Sequence, residues 1–213
     1  MSPIEAVISD FGGVLTSPLM QSFGAVQESS GISMEALGTA MAALAQRDGV
    51  HPLFELETGR LSEAEFLRAL ERELTMQLAR EVKLDRFGER WFEGLHPNEP
   101  VIELMRRLRN RGYKLAICTN NVREWEGRWR SKLPVEEIFD VVVDSAFVGF
   151  RKPERRIYEI TLERLGVAPG SALFIDDLEI NCQAASELGI AAVWFRSTEQ
   201  AIEEIEAALA DGG

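Results

Sequence analysis

The apolar and polar positions divide the chain into regions of different character, and the first is a short apolar run near the amino terminus. Residues 6–15 read AVISDFGGVL, so the run ends at Asp10 and turns over Gly12 and Gly13. Such a run is typical of a buried parallel strand, although a fragment of buried helix has the same pattern. The glycines favour the strand, because they permit backbone conformations that a Cβ would obstruct. Asp10 is therefore predicted at the carboxyl end of a strand, where open α/β sheets bind ligands.

The next region, residues 17–95, has helical spacing and almost no strand signal. Its segment 33–45 is rich in Ala, Met and Leu, which favour helices. Ser62 followed by Glu65 has the form of a capping box ahead of an amphipathic helix. The pattern predicts an inserted helical unit over residues 17–95.

The aromatic residues of this helical unit are predicted to form its core, because aromatic side chains dominate small cores. They are Phe23, Phe54, Phe66, Phe87, Trp91 and Phe92. His51 is one of only two histidines in the chain. We interpret it as a structural or surface residue, with contact with the active site as the alternative.

From residue 96 onwards, helix and strand patterns alternate. Helices are predicted at 100–112, 153–165, 178–188 and 197–210, and strands at 114–118, 140–143, 172–175 and 190–195. This alternation implies right-handed βαβ units and a parallel sheet covered on both faces. The predicted class is α/β, with one core formed by residues 1–16 and 96–213.

Charge and cysteine content restrict the partners and the compartment. The formal net charge of -12 and the pI near 4.8 argue against nucleic acid or an anionic membrane, which need a basic face. An anionic substrate would therefore require local cations or a metal. Cys118 and Cys182 are too few for a disulfide framework and are predicted to be reduced packing residues. With no signal peptide and no bilayer-spanning run, we expect a soluble cytoplasmic protein.

Polar side chains of complementary type follow three of the predicted strands. They are Asp10, Thr119, Asn120, Asp176 and Asp177. Lys152 lies in a loop between the strand that precedes Thr119 and the strand that precedes Asp176. Because parallel strands end at one edge of a sheet, these groups are predicted to meet in a single crevice. Clustered carboxylates raise one another's pKa unless a cation lies among them, and an all-oxygen cluster suits Mg²⁺.

Phosphate is the ligand predicted beside the magnesium ion. Lys152 provides a positive charge, Thr119 a hydroxyl donor, and the backbone amides at Gly12 and Gly13 can face an anion. Each residue also has a structural interpretation: Asp10 could cap a turn, Asp177 or Thr119 could cap the following segment, and Lys152 could be a solvated lysine.

Four motifs in the order DFGGVLTSP, CTNN, GFRKPERRIY and FIDDLEIN, with a helical insertion after the first, resemble those of the haloacid dehalogenase superfamily. The similarity covers nearly the whole chain. It is closest to the subfamily I branch that contains the phosphatase domain of soluble epoxide hydrolase and bacterial glucose-1-phosphate phosphatases. The resemblance implies a Rossmann-like core with strand order 5-4-1-2-3 and a mobile C1 cap formed by residues 17–95.

The resemblance also implies a role for each motif residue. Asp10 would be the nucleophile that becomes an aspartyl-phosphate. Mg²⁺ would be held by Asp10, the carbonyl of Gly12 and Asp177, with Asp176 bound directly or through water. Phosphoryl oxygens would be bound by Thr119 and Asn120, and Lys152 would stabilise their charge. Asn181 would help to orient the acidic loop.

Gly12 departs from the pattern of most phosphatases in this superfamily. They have a second aspartate there, which protonates the leaving oxygen and then activates water. A general acid or base contributes about a hundredfold to ten-thousandfold in rate. The expected activity is therefore slower turnover, or a proton supplied by a substrate hydroxyl, a water or a cap residue such as His51.

Three functions compete at this point. The favoured one is a magnesium-dependent phosphatase that acts on a small phosphorylated metabolite. The second is a 2-haloacid dehalogenase, which uses the same aspartate without a metal, and the third is a weakly active or non-enzymatic binding protein. Substrate contacts are predicted for Arg123, Trp125 and Trp129, with surface charge and helix packing as the alternative. The oligomeric state is not predicted.

Overall fold

Five strands form one parallel sheet in the computed structural model, which describes residues 3–210 apart from the side chains of Ala25 and Ser29. The strands are β1 (Ala6–Ser9), β2 (Lys114–Thr119), β3 (Val141–Asp144), β4 (Ala172–Asp176) and β5 (Ala191–Trp194). Their order is β3-β2-β1-β4-β5, and all four pairings are parallel. The α/β class and the strand order implied by the resemblance are confirmed.

Twelve α-helices occur within the described range. They are α1 (Leu19–Ser30), α2 (Met34–Asp48), α3 (Pro52–Glu57), α4 (Glu63–Leu78), α5 (Phe87–Glu93), α6 (Glu99–Asn110), α7 (Glu126–Arg130), α8 (Val135–Ile138), α9 (Ser145–Val148), α10 (Arg155–Leu165), α11 (Glu179–Glu187) and α12 (Thr198–Ala210). None of them is both long enough and apolar enough to cross a membrane.

The sheet is covered on both faces because successive side chains of a strand point to opposite sides. In β1, Val7 belongs to an apolar cluster with α6 and α12, whereas Ile8 belongs to a second cluster with α10 and α11. Cys118 and Cys182 are buried, unpaired members of the second cluster, as predicted.

Helices α1 to α5 follow β1 as one helical insertion, in the region where the sequence predicts helices. The predicted capping box starts α4: the Ser62 hydroxyl accepts a hydrogen bond from the Glu65 amide, and the Glu65 carboxylate accepts one from the Ser62 amide. Packing between α2 and α4 buries apolar residues of both helices, namely Leu37, Leu44, Phe66, Leu70 and Leu74.

The chain enters and leaves the helical insertion at one place. Thr16 and Pro97 form an antiparallel bridge, and the Ser17 amide donates to the His96 carbonyl at 2.7 Å. The exact division into a core (residues 1–16 and 96–213) and a cap (residues 17–95) stays a prediction. One predicted core aromatic lies outside the apolar core: Phe54 is 42% exposed, and the guanidinium of Arg151 lies over its ring at 3.9 Å from the centroid.

Candidate active site

A buried lysine joins two of the predicted carboxylates. The Lys152 side chain is only 1% exposed, and its Nζ lies 2.8 Å from Asp10 Oδ1 and 2.6 Å from Asp176 Oδ2. A buried ammonium group is stable only when carboxylates or other acceptors replace the lost water. The interpretation of Lys152 as a solvated surface lysine is therefore wrong.

Strand register brings these residues together. Ser9 is paired with Ile117 of β2 on one side and with Ile175 of β4 on the other. The Asp10 amide then donates to the Ile175 carbonyl at 2.8 Å, which extends the pairing by one bond. Because all three strands run in parallel, the residues that follow them, including Thr119 and Asp176, reach the same edge of the sheet.

Both carboxylate oxygens of Asp176 accept hydrogen bonds from other residues of the protein. Besides the contact with Lys152 through Oδ2, its Oδ1 accepts hydrogen bonds from the Leu178 amide and the Asn181 side chain, both at 2.9 Å. Its exposed fraction is zero. Asn181 therefore contacts the acidic loop, as the resemblance implies.

Asp177 is positioned through its backbone. Its carbonyl accepts a hydrogen bond from Trp194 Nε1 at 3.0 Å, and its carboxylate lies against Gly13. Gly13 has φ +77°, and a Cβ at this position would collide with the Asp177 carboxylate. Glycine is required here both by the backbone conformation and by the close approach of the acidic loop.

Asn120 holds the backbone of Lys152. Its Oδ1 accepts from the Lys152 amide at 2.7 Å, and its Nδ2 donates to the Lys152 carbonyl at 3.0 Å. Asn120 thus uses its Oδ1 and one of its two Nδ2 hydrogens to fix the backbone of Lys152. Thr119 is buried at the end of β2, in register with Asp144 of β3.

Burial and mutual repulsion govern the charges of this cluster. Burial, followed by the repulsion of Asp176 and Asp177, raises the pKa of Asp10 despite the attraction of Lys152. The pKa of Asp177 rises to about 6 for the same two reasons, burial first and Asp176 second. For Lys152, attraction by Asp10 and Asp176 outweighs burial and raises the pKa, so the ammonium group keeps its proton.

The donor set fits a magnesium ion. Asp10, Asp176 and Asp177 each offer a carboxylate oxygen, and these three oxygens lie within 4.8 Å of one another. One ammonium does not neutralise three carboxylates, and hard oxygen donors suit Mg²⁺. Because both oxygens of Asp176 accept hydrogen bonds, Asp10 and Asp177 are the carboxylates better placed for direct coordination.

A second ion pair connects the helical insertion with this edge of the sheet. Arg151 Nε lies 2.7 Å from Glu57 Oε2, and both side chains are largely buried, at 16% and 15% exposed. The carbonyl of Glu57 also accepts a hydrogen bond from the Ser145 hydroxyl, which itself accepts from the Asn121 amide at 3.0 Å. The insertion is thus linked through Ser145 to the loop that follows β2.

The three residues predicted to contact the substrate also make contacts within the protein. Trp129 is fully buried, and Trp125 stacks on Phe87 while its Nε1 donates to Glu63 at 2.8 Å. Arg123 donates to the Ala146 carbonyl at 2.6 Å. The packing alternative therefore describes the two tryptophans. His51 stacks on the ring of Phe54, with centroids 4.6 Å apart.

Sequence reasoning missed three residues that contact the site or its loops. Trp194 is the last residue of β5, so it lies at a strand end as Asp10 does. Its side chain is mainly apolar, and nothing in the sequence indicates that its Nε1 donates to the Asp177 carbonyl. Arg151 precedes Lys152 in the third motif. The sequence near Glu57 does not indicate that this glutamate is its partner. Leu19 lies against Gly12, at 3.0 Å from the position that a Cβ there would take.

The sequence model of one family, described as haloacid dehalogenase-like hydrolase, matches residues 4–189. The chain is 38% identical over 112 residues to mouse acyl-CoA dehydrogenase family member 10, which covers 52% of this chain and 10% of that protein. The first relatives are much longer proteins, of which the chain spans about a tenth to a fifth.

Two further comparisons cover most of both chains. The chain is 32% identical over 178 residues to Phosphatase MT3486 of Mycobacterium tuberculosis, which covers 82% of this chain and 79% of that protein. Among solved structures, an HAD family enzyme of Bacteroides thetaiotaomicron, in complex with magnesium and inorganic phosphate, has a TM-score of 0.66 and 22% identity, with 90% and 93% of the two chains covered. This second likeness shows a shared fold.

Proposed function

The chain belongs to the haloacid dehalogenase-like hydrolase family, and from this premise we propose that it is a magnesium-dependent phosphatase for a small phosphorylated metabolite. The observation that carries the proposal is the buried bridge of Lys152 between Asp10 and Asp176, with the Asp177 carboxylate in the same cluster. The similarity to a phosphatase from Mycobacterium tuberculosis over most of both chains supports the same chemistry.

Asp10 is the nucleophile in this proposal. Its Oδ1 accepts from the Phe11 amide at 2.6 Å and contacts Lys152, which fixes the orientation of the carboxyl group. In the part of the chain that the structure describes, its Oδ2 accepts no hydrogen bond. The Asp10 carboxylate attacks phosphorus, the bond from phosphorus to the leaving oxygen breaks, and an aspartyl-phosphate forms. Water then attacks that phosphorus, releases phosphate and restores the carboxylate.

Lys152 and the strand-end polar groups act on the transferring phosphoryl group. Lys152 remains an ammonium group and stabilises the charge on the phosphoryl oxygens, together with the Thr119 hydroxyl and the backbone amide of Asn120. The Gly13 amide, predicted to face the anion, instead donates to the Thr16 hydroxyl at 3.2 Å. Asn120 contributes a second effect, because its side chain fixes the backbone of Lys152. A preorganised donor needs no rearrangement at the moment of reaction.

A magnesium ion would be held by Asp10, Asp177 and the carbonyl of Gly12, with Asp176 as a positioning group behind them. When bound, it supplies positive charge that offsets the phosphoryl negative charge and aligns that group with the nucleophile. Asn181 and the Leu178 amide keep the Asp176 carboxylate oriented.

We further propose that residues 17–95 form a cap domain on a core of residues 1–16 and 96–213. The adjacent entry and exit at Thr16 and Pro97 support a unit that is joined to the core at one place. The Glu57 and Arg151 pair supports a position beside the site. A cap in this position would exclude water during phosphoryl transfer and favour small substrates.

Phosphate release from a panel of phosphorylated sugars, nucleotides, glycolytic acids and aryl phosphates tests the proposal. We expect release with Mg²⁺, loss with EDTA, and loss in Asp10→Asn, which keeps the shape of the side chain but removes the nucleophilic charge. A phosphoenzyme recovered by acid quench from the wild type and absent from Asp10→Asn would support the intermediate. Halide release from 2-chloropropionate that survives EDTA would instead support the dehalogenase, and the phosphatase proposal would be wrong.

A further inference from the structure

Arg151 uses only part of its guanidinium group in contacts with the protein. Its Nε donates to Glu57 Oε2 at 2.7 Å. None of the described residues accepts a hydrogen bond from its Nη1 or Nη2, although the side chain is only 16% exposed. A guanidinium group has five N–H donors in a planar fork, so four of those of Arg151 remain for a ligand.

The orientation of this guanidinium group is fixed from two sides. The ring of Phe54 lies under it, with the guanidinium carbon 3.9 Å from the ring centroid, and Glu57 holds the edge at Nε. The backbone of Arg151 is held as well, because its carbonyl accepts a hydrogen bond from the Glu154 amide at 2.7 Å. A side chain that is already held in one orientation loses little conformational freedom when it binds a ligand.

His51 adds a second polar group at the same place. Its ring stacks on Phe54, and its buried Nδ1 has no hydrogen-bond partner among the residues that the structure describes. Burial and then the charge of Arg151 lower the pKa of the imidazole, so His51 is close enough to Arg151 for the two to interact. Buried polar atoms seldom lack a partner, and a neutral imidazole can carry its proton on Nδ1 and donate it.

This cluster of arginine, histidine and phenylalanine lies beside the site of phosphoryl transfer. Arg151 directly precedes Lys152, whose Nζ lies 2.8 Å from the carboxylate of Asp10. Burial raises the pKa of the Glu57 carboxyl, and the charges of Arg151 and then Lys152 oppose this rise, so Glu57 lies within electrostatic reach of Lys152. One small molecule can therefore contact Lys152 at one end and Arg151 at the other.

We propose that Arg151 binds a carboxylate of the substrate through Nη1 and Nη2, with His51 Nδ1–H as a further donor, and that the substrate is a phosphorylated carboxylic acid. This inference rests on the proposed phosphatase function. A planar carboxylate matches the fork of a guanidinium group. It carries a single negative charge, whereas a second phosphate carries up to about two at pH 7 and is repelled more strongly by Glu57.

The test compares pairs of phosphates that differ only in the carboxylate. Phosphoglycolate is paired with 2-hydroxyethyl phosphate, and 3-phosphoglycerate with glycerol 3-phosphate, because each pair has the same carbon chain with a carboxylate or a hydroxymethyl group at its end. With Mg²⁺ we expect one or both acids to have a kcat/KM about tenfold to a hundredfold above that of the neutral partner, mainly through a lower KM.

The outcomes separate this inference from the proposed function. Acids that are cleaved no faster than their neutral partners, or that are not cleaved while other phosphates are, would overturn the inference and leave the phosphatase intact. A preference shown only by fructose 1,6-bisphosphate over fructose 6-phosphate would overturn the choice of a carboxylate. Failure of every compound to release phosphate with Mg²⁺ would overturn the proposed function, and the inference with it.

Arg151→Gln distinguishes a substrate contact from a structural role. Loss of a substrate contact should raise the KM of the acids by about tenfold to a hundredfold, change the KM of the neutral partners little, and abolish the preference. Arg60→Gln is the matched control, because Arg60 pairs with Glu55 near the same helix and is 54% exposed, and it should keep the preference. Equal losses on acids and neutral partners in Arg151→Gln would mean that the arginine is only structural.

A binding measurement on the wild type needs no turnover. The phosphonates 3-phosphonopropionate and 3-hydroxypropylphosphonate are stable isosteres of the shorter pair, and with Mg²⁺ we expect the acid to inhibit at least about tenfold more strongly. Its carboxylate should also raise the pKa of His51, measured by NMR titration, more than the neutral phosphonate does. Inhibition by the acid that is no stronger than by the neutral compound would contradict the inference.

Discussion

Arg151 and Lys152 are consecutive cations that serve two different regions of the molecule. Lys152 turns into the edge of the sheet, where its Nζ lies within 2.8 Å of two carboxylates and solvent is excluded. Arg151 turns towards the helical insertion, where it pairs with Glu57 and packs on Phe54 while keeping some contact with solvent. The two cations are neighbours in the chain, but they pair with different carboxylates and differ in how far they are buried.

The difference in burial makes one ion pair fixed and the other easier to separate. A fully buried pair cannot separate without leaving an unpaired charge in a poorly solvated place, so Lys152 stays fixed relative to Asp10. A pair with access to water loses less when it separates, because water can replace the partner. The contact at Arg151 therefore suits a movable junction, and the contact at Lys152 suits fixed chemistry.

The largest expected effect is that of Lys152→Met. This variant leaves Asp10 and Asp176 buried without a cation, and we expect the free energy of unfolding to fall by about 3 to 5 kcal/mol in the absence of metal, together with loss of phosphatase activity. Urea denaturation and phosphate release measure the two effects. Lys83→Met is the matched control, because its pair with Glu81 is exposed and its loss should change stability by less than about 1 kcal/mol. Similar losses in both variants would contradict the distinction.

Magnesium should stabilise the protein by binding to the carboxylates at the edge of the sheet. At a free concentration of about 100 times its Kd, Mg²⁺ should raise the free energy of unfolding of the wild type by about 2.7 kcal/mol. Most of this gain should disappear in Asp177→Asn, which has one metal-binding carboxylate fewer, and persist in Glu57→Gln. The measurement is urea denaturation with MgCl₂ and with EDTA. An undiminished gain in Asp177→Asn would show that the ion binds elsewhere.

Glu57→Gln should have a smaller effect, confined to the junction with the insertion. Removal of the carboxylate charge leaves the largely buried guanidinium of Arg151 without its partner, and we expect a loss of about 1 to 3 kcal/mol in unfolding free energy. Glu55→Gln in the same helix is the control, because the pair of Glu55 with Arg60 is more exposed and contributes at most about 1 kcal/mol. Equal effects of the two substitutions would mean that the junction is no stronger than an ordinary surface pair.

The smallest expected effect is the titration of His51. Its pKa is lowered in the folded protein, first by burial and then by Arg151, so the unfolded chain binds this proton more tightly. The contribution of His51 to stability is therefore fully present above the ordinary histidine pKa of about 6.5 and decreases as the pH falls below it. Arg151→Gln should raise the pKa of His51, as measured by NMR titration of its imidazole protons. An unchanged pKa would exclude the electrostatic contact.

The fold was largely predictable from the sequence, and so was the meeting of Asp10, Asp176 and Lys152 at one edge of the sheet. Short apolar runs closed by turn residues identify buried strands, and parallel strands must end at one edge. Asp10 and Asp176 were found in this way. Position at a strand end is not sufficient, however, because Asp144 ends β3 but caps α9 by accepting a hydrogen bond from the Ala146 amide at 2.9 Å. Its neighbour in register is Thr119, and the three-acid cluster does not include it.

Contacts between the insertion and the core were not predictable in the same way. Glu57 and Arg151 are far apart in the chain, and nothing in the local pattern pairs a particular glutamate of a helical segment with a particular arginine of a loop. The same is true of Leu19, whose apolar side chain has the spacing of an ordinary helix residue. Its contact with Gly12 is seen only in the folded chain.

The sequence alone determined the order of strands and helices and the acids and lysine at the strand ends, because these follow from local periodicity and from the geometry of parallel sheets. Only the tertiary structure showed that Asp176, rather than Asp177, accepts hydrogen bonds through both carboxylate oxygens. It also showed that the Leu19 side chain lies beside Gly12. Those outcomes depend on how elements remote in sequence pack against one another, and no local pattern encodes them.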